Sequence, residues 1–176
     1  MRIIAGEFKS RILKDPTTRR THPMGEKIRG ALFNTLGNIN GLVVLDAFAG
    51  TGAVGIEALS RGAQRVYAVE LDNEAYAVLE HNRNLVTDNL RMSVHKANVR
   101  AWLRNQPDLL FDLVLADPPY DAIGMKAIDA CAESVAQGGL LVLSLPPAEH
   151  ISFKNMKLID EKSYGDAKLV FYRKVK

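Results

Sequence analysis

From Leu42 onward the chain alternates short apolar runs with stretches of helical spacing. Apolar runs near 42–47, 65–70, 91–95, 111–116 and 139–145 read as strands, and the segments near 53–61, 73–86, 98–104 and 123–136 as helices. Such alternation predicts an α/β fold built on a mostly parallel sheet covered on both faces. The end departs from it: runs at 157–162 and 168–174 are separated by 163–167 with no helix between, which predicts a closing antiparallel hairpin and seven strands in all. Ahead of Leu42, apolar residues at 24, 28, 31, 32 and 36 keep helical spacing, and Gly37-Asn38 supplies a stop. Residues 2–5 and 11–14 read as two short strands of a hairpin joined through 6–10, and 15–23 as a polar loop. The chain therefore divides into an extension over 1–40 and a main domain over 41–176.

Length and composition support this. A chain of 176 residues with 47% apolar content buries a full core in one domain. No run approaches the roughly 18 uncharged apolar residues of a membrane span, so a cytoplasmic protein with no membrane partner is expected. Cys131, the single cysteine, allows no intrachain disulfide and no cysteine cluster for zinc, and reads as a buried structural thiol. His22, His81, His95 and His150 lack ligand spacing, so no metal is expected. The net charge of +3 hides an asymmetry: Lys and Arg outnumber Asp and Glu by 8 to 3 over 1–40 and by 7 to 3 over 154–176, whereas 41–153 carries 8 against 14. Basic ends on an acidic body favour a polyanionic partner.

Two segments carry candidate chemistry. Asp46-Ala47-Phe48-Ala49-Gly50-Thr51-Gly52-Ala53-Val54-Gly55 follows the first apolar run and places glycines 50, 52 and 55 in the G-x-G-x-x-G spacing, a turn that brings backbone close to a nucleotide-like ligand. Glu70, twenty positions past Gly50, ends the second strand and is suited to accept from both ribose hydroxyls, with Leu71 beside it. A pyrophosphate would be repelled by Asp46, whereas a cationic amino acid moiety would donate to it. S-adenosylmethionine, which carries an ammonium, a sulfonium and no phosphate, fits that pattern. After the third strand, Asn98 and Val99 are placed to meet the adenine edge, although Asn98 serves equally as a helix cap. Phe48 packs by the methionine part or fills core.

The second segment, Asp117-Pro118-Pro119-Tyr120, ends the fourth strand, at the edge where open α/β sheets bind ligands. Methyl transfer to nitrogen is an in-line displacement, and an exocyclic base amine is a poor nucleophile because its lone pair is delocalised into the ring. Acceptors that hold both amine hydrogens favour a pyramidal nitrogen as positive charge develops on it. Asp117 and the Pro118 carbonyl are suited to that role, Pro118 and Pro119 stiffen the loop, and Tyr120 can stack on an unpaired base. Rival readings are transfer to an adenine or cytosine amine of DNA, for which no large recognition insert is present, and a noncatalytic RNA-binding assembly factor, against which both Asp46 and Asp117 speak.

On these residues the chain resembles the RsmD-type methyltransferases, a family acting on the 2-amino group of a guanine in bacterial small-subunit (16S) ribosomal RNA. The resemblance runs nearly end to end: Arg2-Ile3-Ile4-Ala5-Gly6 through Arg11-Ile12-Leu13, Leu32-Phe33-Asn34-Thr35-Leu36, the cofactor segment Leu45 to Ala63, Glu70, Asp117 to Tyr120, and Tyr164-Gly165 before Leu169-Val170-Phe171-Tyr172. It implies a Rossmann-like class I methyltransferase fold, S-adenosylmethionine as cofactor, and ribosomal RNA within a small subunit or assembly intermediate as partner of a monomeric enzyme. Arg2, Lys9, Arg11, Arg19, Arg20 and Arg29 are then the residues expected to face RNA, with Arg29 alternatively paired to Glu26 by helical spacing. In one place the chain departs: the family reads Arg-Pro-Thr, a variable residue and Asp where this sequence has His22-Pro23-Met24-Gly25-Glu26.

Overall fold

The structure, a computed structural model, describes residues 1–15, 24–87, 90–120 and 124–175. After the amino-terminal segment the elements run α1 (Glu26–Leu36), β1 (Val43–Asp46), α2 (Ala53–Ser60), β2 (Arg65–Glu70), α3 (Asn73–Val86), β3 (Met92–Lys96), α4 (Val99–Arg104), β4 (Phe111–Ala116), α5 (Met125–Glu133), β5 (Val135–Leu145), β6 (Met156–Tyr164) and β7 (Ala167–Lys174). They form one seven-stranded sheet in the order β3-β2-β1-β4-β5-β7-β6. β1 to β5 are parallel to one another, and β7 runs antiparallel to both β5 and β6. The chain winds outward one way from β1 to β3, then returns to pair β4 against β1 and continues the other way. Such a reversal opens a crevice at the carboxyl ends of β1 and β4.

Alternation along the strands divides the core into two layers. Val44, Val66, Ala68, Leu113, Leu115, Val142 and Leu169 face one way, and pack with Leu32 and Phe33 of α1, Ile56 and Leu59 of α2 and Leu79 of α3. Their neighbours Leu45, Val69, Val114, Ala116, Leu141, Leu143 and Val170 face the other way, onto Trp102 of α4 and Ile128 and Cys131 of α5. The period of two therefore assigns each strand residue to a layer. Cys131 is fully buried, and burial pushes its thiol up to about 12, the state of a structural rather than a reactive cysteine. Among the described residues no helix is long and apolar enough to cross a membrane.

The amino-terminal hairpin forms in shortened form: Arg2 bridges Ile12 antiparallel, Ile3 donates to the Arg11 carbonyl at 3.0 Å and Leu13 to the Met1 carbonyl at 2.9 Å. Ile4 and Ala5 leave that pairing and donate to the Glu57 carboxylate of α2, at 2.8 and 3.1 Å, and Phe8 donates to the Ser60 hydroxyl at 2.9 Å, so the hairpin is docked on α2. Ile3, Phe8 and Leu13 join the apolar layer beneath α1. The helix expected over 123–136 ends at Glu133, and β5 starts at Val135. Phe111 pairs with Val135 and Leu113 with Leu140, so residues between them bulge out. Gly138 takes a φ of +77° in that bulge, and a Cβ on Gly139 would sit 2.8 Å from the Asp112 carbonyl oxygen, so both positions favour glycine.

Candidate active site

The carboxyl ends of β2, β1 and β4, three adjacent strands, deliver Glu70, Asp46 and Asp117 to one edge of the sheet. The loop after β1 is pinned on both sides: Ala47 donates to the Leu115 carbonyl of β4 at 2.9 Å and Ala49 to the Val69 carbonyl of β2 at 3.0 Å. Gly50 has a φ of +54° with no atom within 4 Å of where a Cβ would stand, so its backbone is open to a ligand. The other two glycines serve packing. A Cβ on Gly52 would meet Leu79 Cδ1 at 2.5 Å, and one on Gly55 would meet Asp46 Oδ2 at 2.9 Å.

Two of the three candidate carboxylates already hold backbone. Glu70 accepts from Gly50 at 2.7 Å through one oxygen and from Asp72 at 2.8 Å through the other, tying the glycine loop to the end of β2. A carboxylate oxygen has a second lone pair, so room for a ribose hydroxyl remains. Asp46, 3% exposed, accepts from the Gly55 amide at 2.8 Å and so fixes the first turn of α2. Burial pushes the Asp46 carboxyl up to about 7, opposed by the Gly55 hydrogen bond and reinforced by the charges of Asp117 and Glu70. Asp117 is also raised by burial, with the Ser144 hydroxyl pulling the other way. Among the described residues no cation is paired with Asp46, Glu70 or Asp117. The edge therefore holds unneutralised negative charge that a cationic ligand would relieve and a phosphate would worsen.

The remaining expected residues separate into four groups. Leu71 is 62% exposed beside Glu70 and Phe48 is half-buried against the α4–α5 layer, so both present apolar surface at this edge. Asn98 caps α4 by accepting from Ala101 at 3.2 Å, which satisfies the capping alternative and leaves its amide NH2 to donate. Ala49, Thr51 and Val99 are buried. Thr51 faces inward, its carbonyl accepting from Asn82 at 2.9 Å, and shapes the loop from behind. At the transfer position Pro118 is buried, Pro119 exposed, and Tyr120 40% exposed with its hydroxyl 2.7 Å from Ser144 Oγ.

Of the basic residues, Arg2, Lys9 and Arg11 are exposed on the amino-terminal segment. Arg19, Arg20, His22 and Pro23 lie outside the described residues. Arg29 is corrected: it is 0% exposed, donates to the carbonyls of Arg2 and Met24 at 2.6 and 3.1 Å, and faces Glu57 at 3.6 Å. Glu26 instead pairs with Arg2 at 3.5 Å and accepts from its amide at 3.0 Å. A guanidinium enclosed in this way positions the amino-terminal segment and has no face for a phosphate.

Three residues that sequence reasoning passed over take part in this architecture. Asn82 is fully buried and holds Lys14 by both its amide groups while donating to the glycine loop. Glu57 anchors the amino-terminal segment, and Ser144 meets Tyr120. The available signal was the same in each case: a lone polar residue inside an apolar face, as in Ala53 to Ser60, Val78 to Val86 and Leu140 to Leu145. Two cavities, of about 460 and 380 Å³, lie elsewhere. The first is lined by Val43, Gln64 and Leu109 at the opposite sheet edge, the second by Arg100, Arg104 and Lys126 between α4 and α5.

The family model described as Conserved hypothetical protein 95 matches residues 1–173. The ribosomal RNA small subunit methyltransferase D of Haemophilus influenzae is 36% identical over 182 aligned residues, covering 98% of this chain and 92% of that protein. The solved structure of Escherichia coli yhhF superposes with a TM-score of 0.86 at 27% identity, covering 99% of this chain and 98% of that one. That of Thermus thermophilus TTHA0928 reaches 0.81 at 29% identity, with 97% and 98% covered. The chain belongs to the ribosomal RNA small subunit methyltransferase D family.

Proposed function

We propose that this protein transfers a methyl group from S-adenosylmethionine to the exocyclic 2-amino group of a guanine in small-subunit ribosomal RNA. The observation that carries the reading is the juxtaposition, on adjacent strand ends, of a buried unneutralised carboxylate behind a glycine loop and an Asp-Pro-Pro-Tyr turn. Asp46 and Glu70 supply acceptors for the ammonium and the ribose, Gly50 lets the donor approach, Phe48 packs by the methionine part, and Leu71 and Asn98 bound the adenine. Asp117 and the Pro118 carbonyl receive the two amine hydrogens while Tyr120 stacks on the base. The nitrogen lone pair forms the N–C bond as the C–S bond breaks, its electron pair stays on sulfur as a neutral thioether, and the surplus amine proton leaves through Asp117 to solvent. Residues 1–40 form the RNA-facing extension, with Arg2, Lys9 and Arg11 outward.

The test supplies labelled S-adenosylmethionine with unmethylated small subunits, naked ribosomal RNA and duplex DNA, then identifies the methylated nucleoside. N2-methylguanosine from RNA is expected, and a methylated DNA base would replace this reading. Changing Lys9 and Arg11 together to Gln should weaken RNA binding and lower its salt slope by about two. An unchanged slope would remove these residues from the interface.

Asp46 adds a pH dependence. Because its carboxyl in the free protein is raised to about 7, it is largely protonated below that pH, and a cationic donor binds the ionised form. Cofactor affinity should therefore fall as pH drops below 7, by up to about tenfold per unit, with proton release on binding measurable by calorimetry in buffers of different ionisation enthalpy. Asp46→Asn keeps an acceptor for the Gly55 amide and should flatten this dependence. A wild-type affinity independent of pH between 5 and 8 would exclude Asp46 from contact with the cation.

A further inference from the structure

Ser144 lies on β5, one residue beyond Leu143, which pairs with Ala116 of β4, so it stands level with Asp117 on the neighbouring strand. It interrupts the apolar run Leu140 to Leu145 and is 4% exposed. A hydroxyl so placed needs a partner, and Tyr120 Oη lies 2.7 Å from it. The rest of Tyr120 is 40% exposed, so the ring is held at its far end while the ring itself remains open to solvent. The Ser144 hydroxyl also acts on the Asp117 carboxyl.

We infer that Ser144 is a positioning residue for methyl transfer: its hydroxyl tethers the Tyr120 ring and aligns it with Asp117, so that the stacking plane and the amine acceptor are fixed relative to each other. The inference rests on the proposed reading of the Asp117 to Tyr120 turn. Either hydroxyl can be the donor in this pair, and in both cases the Tyr120 hydroxyl is engaged by Ser144. The Tyr120 hydroxyl is therefore consumed within the protein, and what it offers a base is the ring face. An untethered ring on this loop would have to be immobilised at each encounter, a cost that falls on turnover and not on cofactor binding.

The experiment compares S144A, Y120F, the double variant and Y120A in the full-length protein, measuring kcat and KM on RNA together with cofactor affinity. S144A and Y120F should each lower kcat about 3- to 10-fold, the worth of one neutral hydrogen bond, with KM for S-adenosylmethionine unchanged. The double variant should be no slower than either alone, because both break the same bond. Y120A, which removes the ring, should lose far more. Losses that multiply in the double variant, or an S144A enzyme at the wild-type rate, would overturn the tether. Should S144A fail to fold, Y120F decides: a wild-type rate overturns the inference, and a loss confined to kcat supports it. Carbon-13 tyrosine spectra separate this from the functional reading, since they need no substrate. The Tyr120 ring signal, assigned with Y120F, should shift and sharpen toward averaging in S144A. An unmoved signal overturns the tether even if transfer occurs, and absence of RNA methylation by wild type refutes the function while the spectra still judge the tether.

Discussion

Asp117→Ala should lower methyl transfer by at least about 100-fold, the scale of losing one group that acts chiefly in the transition state, while cofactor affinity stays within a few-fold of wild type. The turn that carries Asp117 follows β4, whereas the glycine loop is held by contacts to Val69, Leu115 and Glu70, none of which passes through the Asp117 side chain. Removing it therefore leaves the donor's cradle in place. The remaining coupling is electrostatic: Asp117 raises Asp46, and its loss should ease ionisation of Asp46 and, if anything, favour a cationic donor. Asp117→Asn keeps an acceptor oxygen and discards the charge, so partial activity there identifies hydrogen-bond acceptance as the contribution, and activity as low as that of the alanine variant identifies the charge. Single-turnover transfer with calorimetric cofactor binding makes both comparisons. A collapse of cofactor affinity in Asp117→Ala would show that the two sites had been divided wrongly.

Glu57→Ala should destabilise the fold by roughly 3–5 kcal/mol, the range for breaking a buried ion pair and leaving a charge behind. The Glu57 carboxylate is fully buried, accepts from Ile4, Ala5 and the Arg61 guanidinium at 2.8 Å, 3.1 Å and 2.8 Å, and faces Arg29 at 3.6 Å. Burial lowers the Arg29 pKa and Glu57 opposes that shift, so without Glu57 the guanidinium would be enclosed with its main compensating charge gone. The melting temperature should fall by roughly 6–20 °C for a chain of this size. Arg29→Met with Glu57→Gln retains an acceptor for the amino-terminal amides while removing both charges, and should recover part of the loss. If it recovers none, the stranded cation is not the source of the cost. Gly6→Ala attacks the same junction from the other side, because a Cβ there would stand 1.7 Å from the Ser60 carbonyl oxygen at a φ of +84°.

The alternation from Leu42 onward was legible because a strand or helix writes its period within a few residues. Its observed outcome is the parallel sheet with α1 to α3 on one face and α4 and α5 on the other. The glycine loop and the Asp117 to Tyr120 turn were legible for a related reason: their chemistry lies in contiguous residues, and strand ends in this topology converge on one edge. What escaped were the polar residues whose meaning depends on a distant partner. Ile4 and Glu57 are 53 positions apart, Lys14 and Asn82 are 68 apart, and Tyr120 and Ser144 are 24 apart. Nothing near Ile4 in sequence shows that its amide will go to a carboxylate on α2 and not to a partner strand, so the hairpin is shorter than the expected 2–5 and 11–14.

The sequence by itself thus determined the order and type of the elements, the layer each strand residue faces, and the two segments that bear chemistry, since these follow from local dihedral preference and hydrophobic period. Only the tertiary structure decided which charges meet. It enclosed Arg29 against Glu57 and away from any phosphate, and brought Asp46, Glu70 and Asp117 to one edge of the sheet with no neutralising partner among the described residues. It also set Ser144 behind Tyr120. The physical reason is that burial and partnership of a polar group are properties of the packed neighbourhood, assembled from strands that are adjacent in the sheet and far apart along the chain.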